Sequence, residues 1–232
     1  MKTIVAHLID LSHVYRAEGH GMELDATGPG AGPVTVRRGI PAGAERRAAE
    51  LYWGAFGRKL GPALNPASKA VPLLAGHLST HRTVCALVDG QLVGLAGYQH
   101  GGQARAGVSA RAVLRAYGHL RGLRRLLVLA LFERRPAPGQ LVMDGIAVDQ
   151  DMRGRGIGSL LIEEVVAVAA ERECREIRLD VIDTNPRARA LYERRGFTAL
   201  RTARTPYLRR LLGFGAVTTM RRPVGTPEVG EL

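Results

Sequence analysis

The chain has few cysteines, few lysines and no long apolar run, and each shortage excludes something. Only Cys85 and Cys174 occur in 232 residues. Two distant cysteines make no disulfide framework, so a reducing, cytoplasmic setting is the natural expectation. The longest apolar run, Leu126 to Phe132, is bordered by Arg125 and by Glu133-Arg134 and is far too short to cross a bilayer. The opening Met1-Lys2-Thr3-Ile4-Val5-Ala6-His7 is soon interrupted by Asp10 and His13 and lacks a secretory apolar core. Aromatic residues are scarce at 5%, yet hydrophobic residues reach 46% against 23% charged, the balance of a folded rather than a disordered chain. This length suits one sizeable core, or one domain with an appendage. With lysine only at Lys2, Lys59 and Lys69, the net charge of +12 belongs almost wholly to arginine. Such a field favours a phosphorylated cofactor, nucleic acid or an acidic membrane surface. Joint abundance of Ala, Gly and Arg also reads as composition bias, and charge alone decides nothing.

Residues 1–33 read as an N-terminal appendage closing on the linker Thr27-Gly28-Pro29-Gly30-Ala31-Gly32-Pro33, a stretch that neither helix nor strand tolerates. Val34 to Arg38 alternates as a first strand. Ala48, Leu51, Tyr52, Ala55 and Phe56 recur at helical spacing within 44–58, and a second helix is expected over 68–78. Strands over 84–88 and 92–98 flank Asp89-Gly90, a two-residue hairpin signal. Residues 101–139 form an Arg-rich insert, predicted as one helix over 109–134. Val113, Tyr117, Leu120, Leu123, Leu127 and Leu131 share one face there, with Arg111, Arg115, Arg121 and Arg125 elsewhere. A helix docked on the domain with a solvated basic face is the simplest reading; a membrane-surface helix, a lid over an acceptor groove and a homodimer contact are the alternatives. Beyond Pro136-Ala137-Pro138-Gly139 come a strand (140–148), a Gly-rich turn, a helix (156–172), a strand (177–182), a helix (186–194), a strand from 197, a last strand (214–220) and a tail (223–232). This alternation predicts one α/β domain over 34–222, with helices packed on a central sheet.

The chemistry concentrates at Met143-Asp144-Gly145-Ile146-Ala147-Val148-Asp149-Gln150-Asp151-Met152-Arg153-Gly154-Arg155-Gly156-Ile157-Gly158-Ser159. A strand feeds three glycines in five residues, which open directly into an amphipathic helix. Close backbone approach and the positive end of the helix dipole together suit a phosphate or pyrophosphate. A Walker A loop would need Lys before Ser159, and a Rossmann turn a different glycine spacing. Neither fits, and a purely structural turn remains open at this point.

The segment Arg153-x-x-Gly156-x-Gly158, preceded by Ile146-Ala147-Val148, resembles the acyl-CoA signature of the GNAT superfamily of N-acetyltransferases. About 25 residues on, Leu179-Asp180-Val181 and Asn185-Pro186-Arg187-Ala188-Arg189-Ala190-Leu191-Tyr192-Glu193-Arg194-Arg195-Gly196-Phe197 match a second family motif, closest to the ribosomal-protein alanine acetyltransferase type. The resemblance is close over 143–200 and looser over 34–98; residues 1–33 and 101–139 have no counterpart in it. It implies a mixed sheet of six to seven strands, splayed at the acyl-CoA site, with helices on both faces. The implied activity is transfer of acetyl from acetyl-CoA to a primary amine, by direct attack through a tetrahedral intermediate. The alternative is an acyl-CoA-binding regulatory or nucleic-acid- or partner-binding module without turnover; Tyr192 and the intact loop weigh against it.

The resemblance also implies roles. The main chain of Ile146, Ala147 and Val148 would bond the pantetheine arm, and a backbone N–H there would serve as oxyanion donor. The N–H groups of Gly154, Arg155, Gly156, Ile157, Gly158 and Ser159 would receive the pyrophosphate, with Arg153 and Arg155 adding charge. Tyr192 would protonate the leaving thiolate. Asn185 would cap its helix and contact the cofactor. Asp144 and Asp180 are both candidates for the base, and Asp144 is expected to share parity with Ile146 and Val148. Asp149 and Asp183 read as loop residues. His77 and His81 are spaced i, i+4 without a third ligand, so no metal is expected. Cys85 reads as a core residue. The acceptor is a small amine or a peptide or protein amine.

Overall fold

The computed structural model describes residues 22–24, 32–101, 108–130, 136–209 and 213–225; most of the linker 27–33 and of the tail 223–232 lies outside them. A single mixed sheet runs through the described residues. Its strands are β1 (Met22–Leu24), β2 (Val34–Arg38), β3 (Thr83–Val88), β4 (Gln91–His100), β5 (Gln140–Val148), β6 (Glu176–Ile182), β7 (Thr198–Arg204) and β8 (Ala216–Pro223). Their spatial order is β1-β2-β3-β4-β5-β6-β8-β7. Eight strands exceed the six to seven expected, because Met22–Leu24, inside the range read as an appendage, pairs antiparallel with β2. The helices are α1 (Glu45–Leu64), α2 (Ala67–Ala75), α3 (Ala110–Tyr117), α4 (His119–Ala130), α5 (Ile157–Glu171) and α6 (Pro186–Arg194).

Local chemistry explains most boundaries. Asp89 and Gly90 both have positive φ, +49° and +76°, as a type I′ hairpin turn between β3 and β4 requires. Asn185 accepts from the Ala188 N–H at 3.2 Å and Pro186 follows it, so α6 begins with a side-chain cap and a proline whose missing N–H costs nothing. In α5, Ile157, Leu161, Ile162, Val165, Val168 and Ala169 form the buried stripe, and they pack with Tyr192 and Leu191 of α6 on one face of the sheet. On the other face α1 packs against β4 and β5, and α2, α3 and α4 pack around it, with Leu51, Tyr52, Leu64, Leu74, Val113 and Tyr117 in one buried cluster. α1 extends to Leu64, six residues past the expected end, because its second half is buried through Leu60, Ala63 and Leu64, packing that outweighs the low helix propensity of Gly57 and Gly61.

The insert departs from the expectation of one helix. Gly118 adopts φ +79° and ψ 162°, a conformation essentially confined to glycine, which ends α3 and redirects α4. Val113 and Tyr117 point inward: the Tyr117 hydroxyl donates to the Leu64 carbonyl, and the Arg125 guanidinium lies 4.1 Å from the Tyr117 ring centroid while donating to Ala63 O at 2.9 Å. Leu120, Leu123 and Leu127 instead face outward, 81%, 58% and 65% exposed. The predicted common face therefore splits at Gly118; Leu131 lies outside the described residues.

Two irregularities position the site. β5 pairs with β4 along its length but with β6 only at Gln140–Glu176, Leu141–Ile177 and Val142–Arg178. β6 meanwhile stays paired with β8 out to Ile182, so the two strands part beyond Val142. Opposite the gap, Gly97 pairs with Gly145 and Tyr98 with Met143, which leaves Asp144 as the extra residue of a β-bulge. Before the bulge Leu141 and Met143 face α5; after it Ile146 and Val148 do, and Ala147 faces α1. Gly145 sits at φ +137° and a Cβ there would lie 2.5 Å from Phe56 Cζ of α1.

Gly145→Val therefore combines a disfavoured backbone with a clash, and is expected to destabilise the fold by roughly 2–4 kcal/mol in chemical denaturation. A second expectation concerns Arg38 of β2, which donates to Glu164 Oε1 at 2.6 Å and to Glu171 Oε1 at 2.7 Å and so ties the sheet edge to α5. The Arg38 hydrogen bonds hold the Glu171 carboxyl below its ordinary value of 4.5. A depressed carboxyl stabilises the fold above its unfolded value and loses that contribution as pH falls through the folded one. The stability difference between the native protein and Arg38→Met should be full at neutral pH and shrink on acidification below the ordinary glutamate range.

Candidate active site

The alternation of the antiparallel β4–β5 ladder sorts the backbone of β5 into two sets. The Asp149 N–H bonds to Val93 O at 2.8 Å, so Asp149, Ala147 and Gly145, at every second position, turn their main-chain groups toward β4. Ile146 and Val148 turn theirs toward the gap left by β6. Of the three residues expected to offer main chain to a ligand, Ile146 and Val148 are so placed, and Ala147 is turned into the sheet. Arg153 Nε donates to the gap-side Val148 O at 3.3 Å, which brings this exposed arginine to the mouth of the gap.

Next along the chain comes the glycine turn. Gly154 and Gly156 have φ of +82° and +77°, and no atom lies within 4 Å of where their Cβ would be; backbone conformation, not crowding, calls for glycine here. Gly158 differs: its Cβ would lie 3.0 Å from Leu191 Cδ2, so this glycine lets α6 approach the first turn of α5. Among the described residues, the N–H groups of Gly154, Gly156, Ile157 and Gly158 donate to no backbone carbonyl. They form a donor cluster at the positive end of a 15-residue helix, an arrangement that suits an anionic group. The Ser159 N–H is already committed to Gly156 O at 2.8 Å and stands outside that cluster. Arg155 lies alongside, with Nη1 3.4 Å from Met152 Sδ.

Beside this turn, Tyr192 follows Leu191 on α6 and is 5% exposed, with its ring 5.9 Å from that of Phe197. Burial pushes its phenol up to about 12. It therefore stays protonated throughout the physiological range and holds its proton more tightly than an ordinary thiol, whose pKa is about 8.5. Asn185 is engaged as the helix cap.

The bulge decides where Asp144 points. Its Oδ1 accepts from Gln99 Nε2 at 2.7 Å, and Gln99 lies between Tyr98 and His100 on β4, on the face opposite Tyr98. Asp144 thus faces the layer of α1 rather than sharing the side of Ile146 and Val148; the extra residue reverses the parity that simple alternation predicts. Asp180, between the inward Leu179 and Val181 on β6, points to that same face and accepts from Thr219 Oγ1 at 2.7 Å. The two candidate carboxylates thus stand on the two strands bordering the gap. Gln99 was not legible as a site residue in the sequence. It is 3% exposed, and its Oε1 has no hydrogen-bond partner. An ionised carboxylate accepts only, so the amide must turn its NH2 to Asp144 and aim its carbonyl away.

Other candidates fall outside the site. Cys85 is fully buried, and burial pushes its thiol up to about 12, so it behaves as a core residue. His77 follows α2 with Nδ1 2.8 Å from Leu73 O, His81 lies in a separate short turn, and the two share no helix. Among the described residues no group of three or more His, Cys, Asp or Glu side chains is placed to hold a metal ion. Asp149 caps a short turn and pairs with Arg47, and Asp183 accepts from the Gly215 N–H at 3.2 Å; both are loop residues. No helix among the described residues is long and apolar enough to cross a membrane.

Comparison with known proteins converges on one family. Residues 47–197 match the model of the acetyltransferase (GNAT) family. A thialysine N-epsilon-acetyltransferase from Bos taurus is 41% identical over 56 residues, 24% of this chain and 33% of that protein; the match thus spans about a third of the curated relative. Among solved structures, an acetyltransferase aligns over 82% of this chain and 99% of its own with 20% identity and a TM-score of 0.54. A GCN5-related N-acetyltransferase from Kribbella flavida aligns over 82% and 97%, with 21% identity and a TM-score of 0.51. At these identities the structures show a shared fold, and the family model covers well over half of the chain. Parted strands, a glycine-built donor cluster and the matched family together make this chain a member of the GNAT acetyltransferase family.

Proposed function

We propose that this protein transfers an acetyl group from acetyl-CoA to a primary amine, with the thioester lying in the gap between β5 and β6. The observation that carries the reading is the exposed backbone of that gap, Ile146 and Val148 on one side, leading into the unpaired N–H groups of Gly154, Gly156, Ile157 and Gly158. A pantetheine arm carries amide groups at intervals and can bond an open strand edge as a further strand would. Its diphosphate suits the donor cluster, with Arg153 and Arg155 adding charge at the mouth.

Amide formation needs a neutral amine, a donor for the carbonyl oxygen as it gains charge, and a proton for the departing sulfur. In this reading the base is Asp144, directly or through water, with Asp180 as the competing candidate. Asp144 is favoured because it lies on β5 itself, two residues before Ile146; Asp180 shares its face and is likewise held by a hydrogen bond. Gln99 acts as a positioning residue for that of Asp144. The Ile146 or Val148 N–H supplies the donor to the developing oxyanion. The amine nitrogen bonds to the acetyl carbon, the carbon–sulfur bond breaks, and Tyr192 gives its proton to the thiolate. The acceptor is a small amine or a peptide or protein amine. A thialysine-type side-chain amine enters as a candidate only through the partial relative.

Calorimetry with acetyl-CoA and a CoA-release assay over an amine panel test this together. The Arg153→Glu, Arg155→Glu variant should lose most acetyl-CoA binding while keeping native circular dichroism. Tyr192→Phe should bind acetyl-CoA within about threefold of native yet lose roughly 100-fold in kcat. Asp144→Asn should cost more than Asp180→Asn. Native protein that binds no acetyl-CoA, or a Tyr192→Phe variant with native kcat, would contradict the reading.

A further inference from the structure

We infer that the outer face of α4 is a docking surface for an anionic lipid bilayer. The helix is fixed to the domain along one side only. Gly122 is buried against Leu114, where a Cβ would come within 2.9 Å of Leu114 Cδ2, and Leu126 and Leu129 pack on the α1 layer. Arg125 is spent on the same side, over the Tyr117 ring. The opposite side carries Leu120, Leu123 and Leu127, at i, i+3 and i+7, each more than half exposed. Single surface leucines are ordinary, but a row of three on one helix is not.

Charge on this face is of one sign. Arg121 and Arg124 are exposed beside the leucines, and Arg111 and Arg115 are exposed on neighbouring α3. From Gly101 to Phe132 the sequence has six arginines and no acidic residue. A second copy of this chain laid on the face would set these arginines against their own counterparts with no carboxylate between. Nucleic acid would satisfy the arginines but leave the leucines against phosphate and water. An anionic membrane surface satisfies both: guanidinium groups bond lipid phosphates, and leucines enter the boundary between headgroups and acyl chains. At 12 residues α4 is about 18 Å long, so it would lie in the plane of the surface. The net charge of +12 adds long-range attraction to the same partner.

Co-sedimentation of the full chain with vesicles tests the inference. Vesicles of phosphatidylcholine and phosphatidylglycerol in equal parts should pellet the protein, and pure phosphatidylcholine vesicles should not. Leu123→Asp, Leu127→Asp changes only outward positions; it should keep native circular dichroism and acetyl-CoA binding while vesicle affinity falls at least ~10-fold. Arg121→Gln, Arg124→Gln should weaken binding and flatten its salt dependence. The inference is overturned if the native protein ignores anionic vesicles or if the leucine variant binds them as well as native. It is equally overturned if light scattering shows a dimer that the leucine variant dissolves, or if duplex DNA binds more tightly than the vesicles. Saturable capture of an acidic polypeptide with no vesicle binding would also overturn it.

Discussion

Strand β5 is paired with β4 from end to end and with β6 over three residues only, and the candidate site depends on that mismatch. Where β6 turns away, Ile146 and Val148 keep main-chain donors and acceptors with no strand opposite them. Open main-chain groups of this kind suit a ligand able to act as a further strand. The bulge at Asp144 belongs to the same arrangement. It lets Leu141 and Met143 pack under α5 before the parting and Ile146 and Val148 after it, and it swings one carboxylate onto the other face. Gly145 makes this compatible with Phe56 pressed against the strand.

The turn after β5 completes the arrangement by two different uses of glycine. Gly154 and Gly156 supply left-handed backbone, which turns successive N–H groups to one side. Gly158 is an ordinary helical residue whose missing side chain admits Leu191. That contact draws α6 against α5, and Tyr192, next to Leu191, is buried in the same cluster. Burial keeps the phenol protonated at neutral pH, so it carries a proton to offer and cannot take one from an amine. Tyr192 and Asp144 thus fall on opposite faces of one sheet, Tyr192 with α5 and Asp144 with α1.

Much of this was legible in the sequence because it is local. Asp89-Gly90, Asn185-Pro186 and the glycines from 154 to 158 each carry their conformation in their own chemistry, and strands over 140–148 and 177–182 follow from short apolar runs. What escaped is what depends on pairing. The bulge arises from the register of β5 against β4, so parity counted along β5 alone placed Asp144 on the wrong face. Gln99 became visible only when β4 was laid beside Asp144. The strand Met22–Leu24 is three residues long and exists through its pairing with β2. In the insert the spacing of Val113, Tyr117 and the leucines predicts one face, but the positive φ of Gly118 separates α3 from α4 and leaves Leu120, Leu123 and Leu127 on the outside.

Backbone amide exchange in the presence and absence of acetyl-CoA reads the central claim most directly, since it reports individual N–H groups in the intact protein. The account predicts slowed exchange at Ile146 and Val148 and at Gly154, Gly156, Ile157 and Gly158, with little change at Ala147, already held by β4. Binding that slows exchange elsewhere and leaves these six amides unchanged would contradict it.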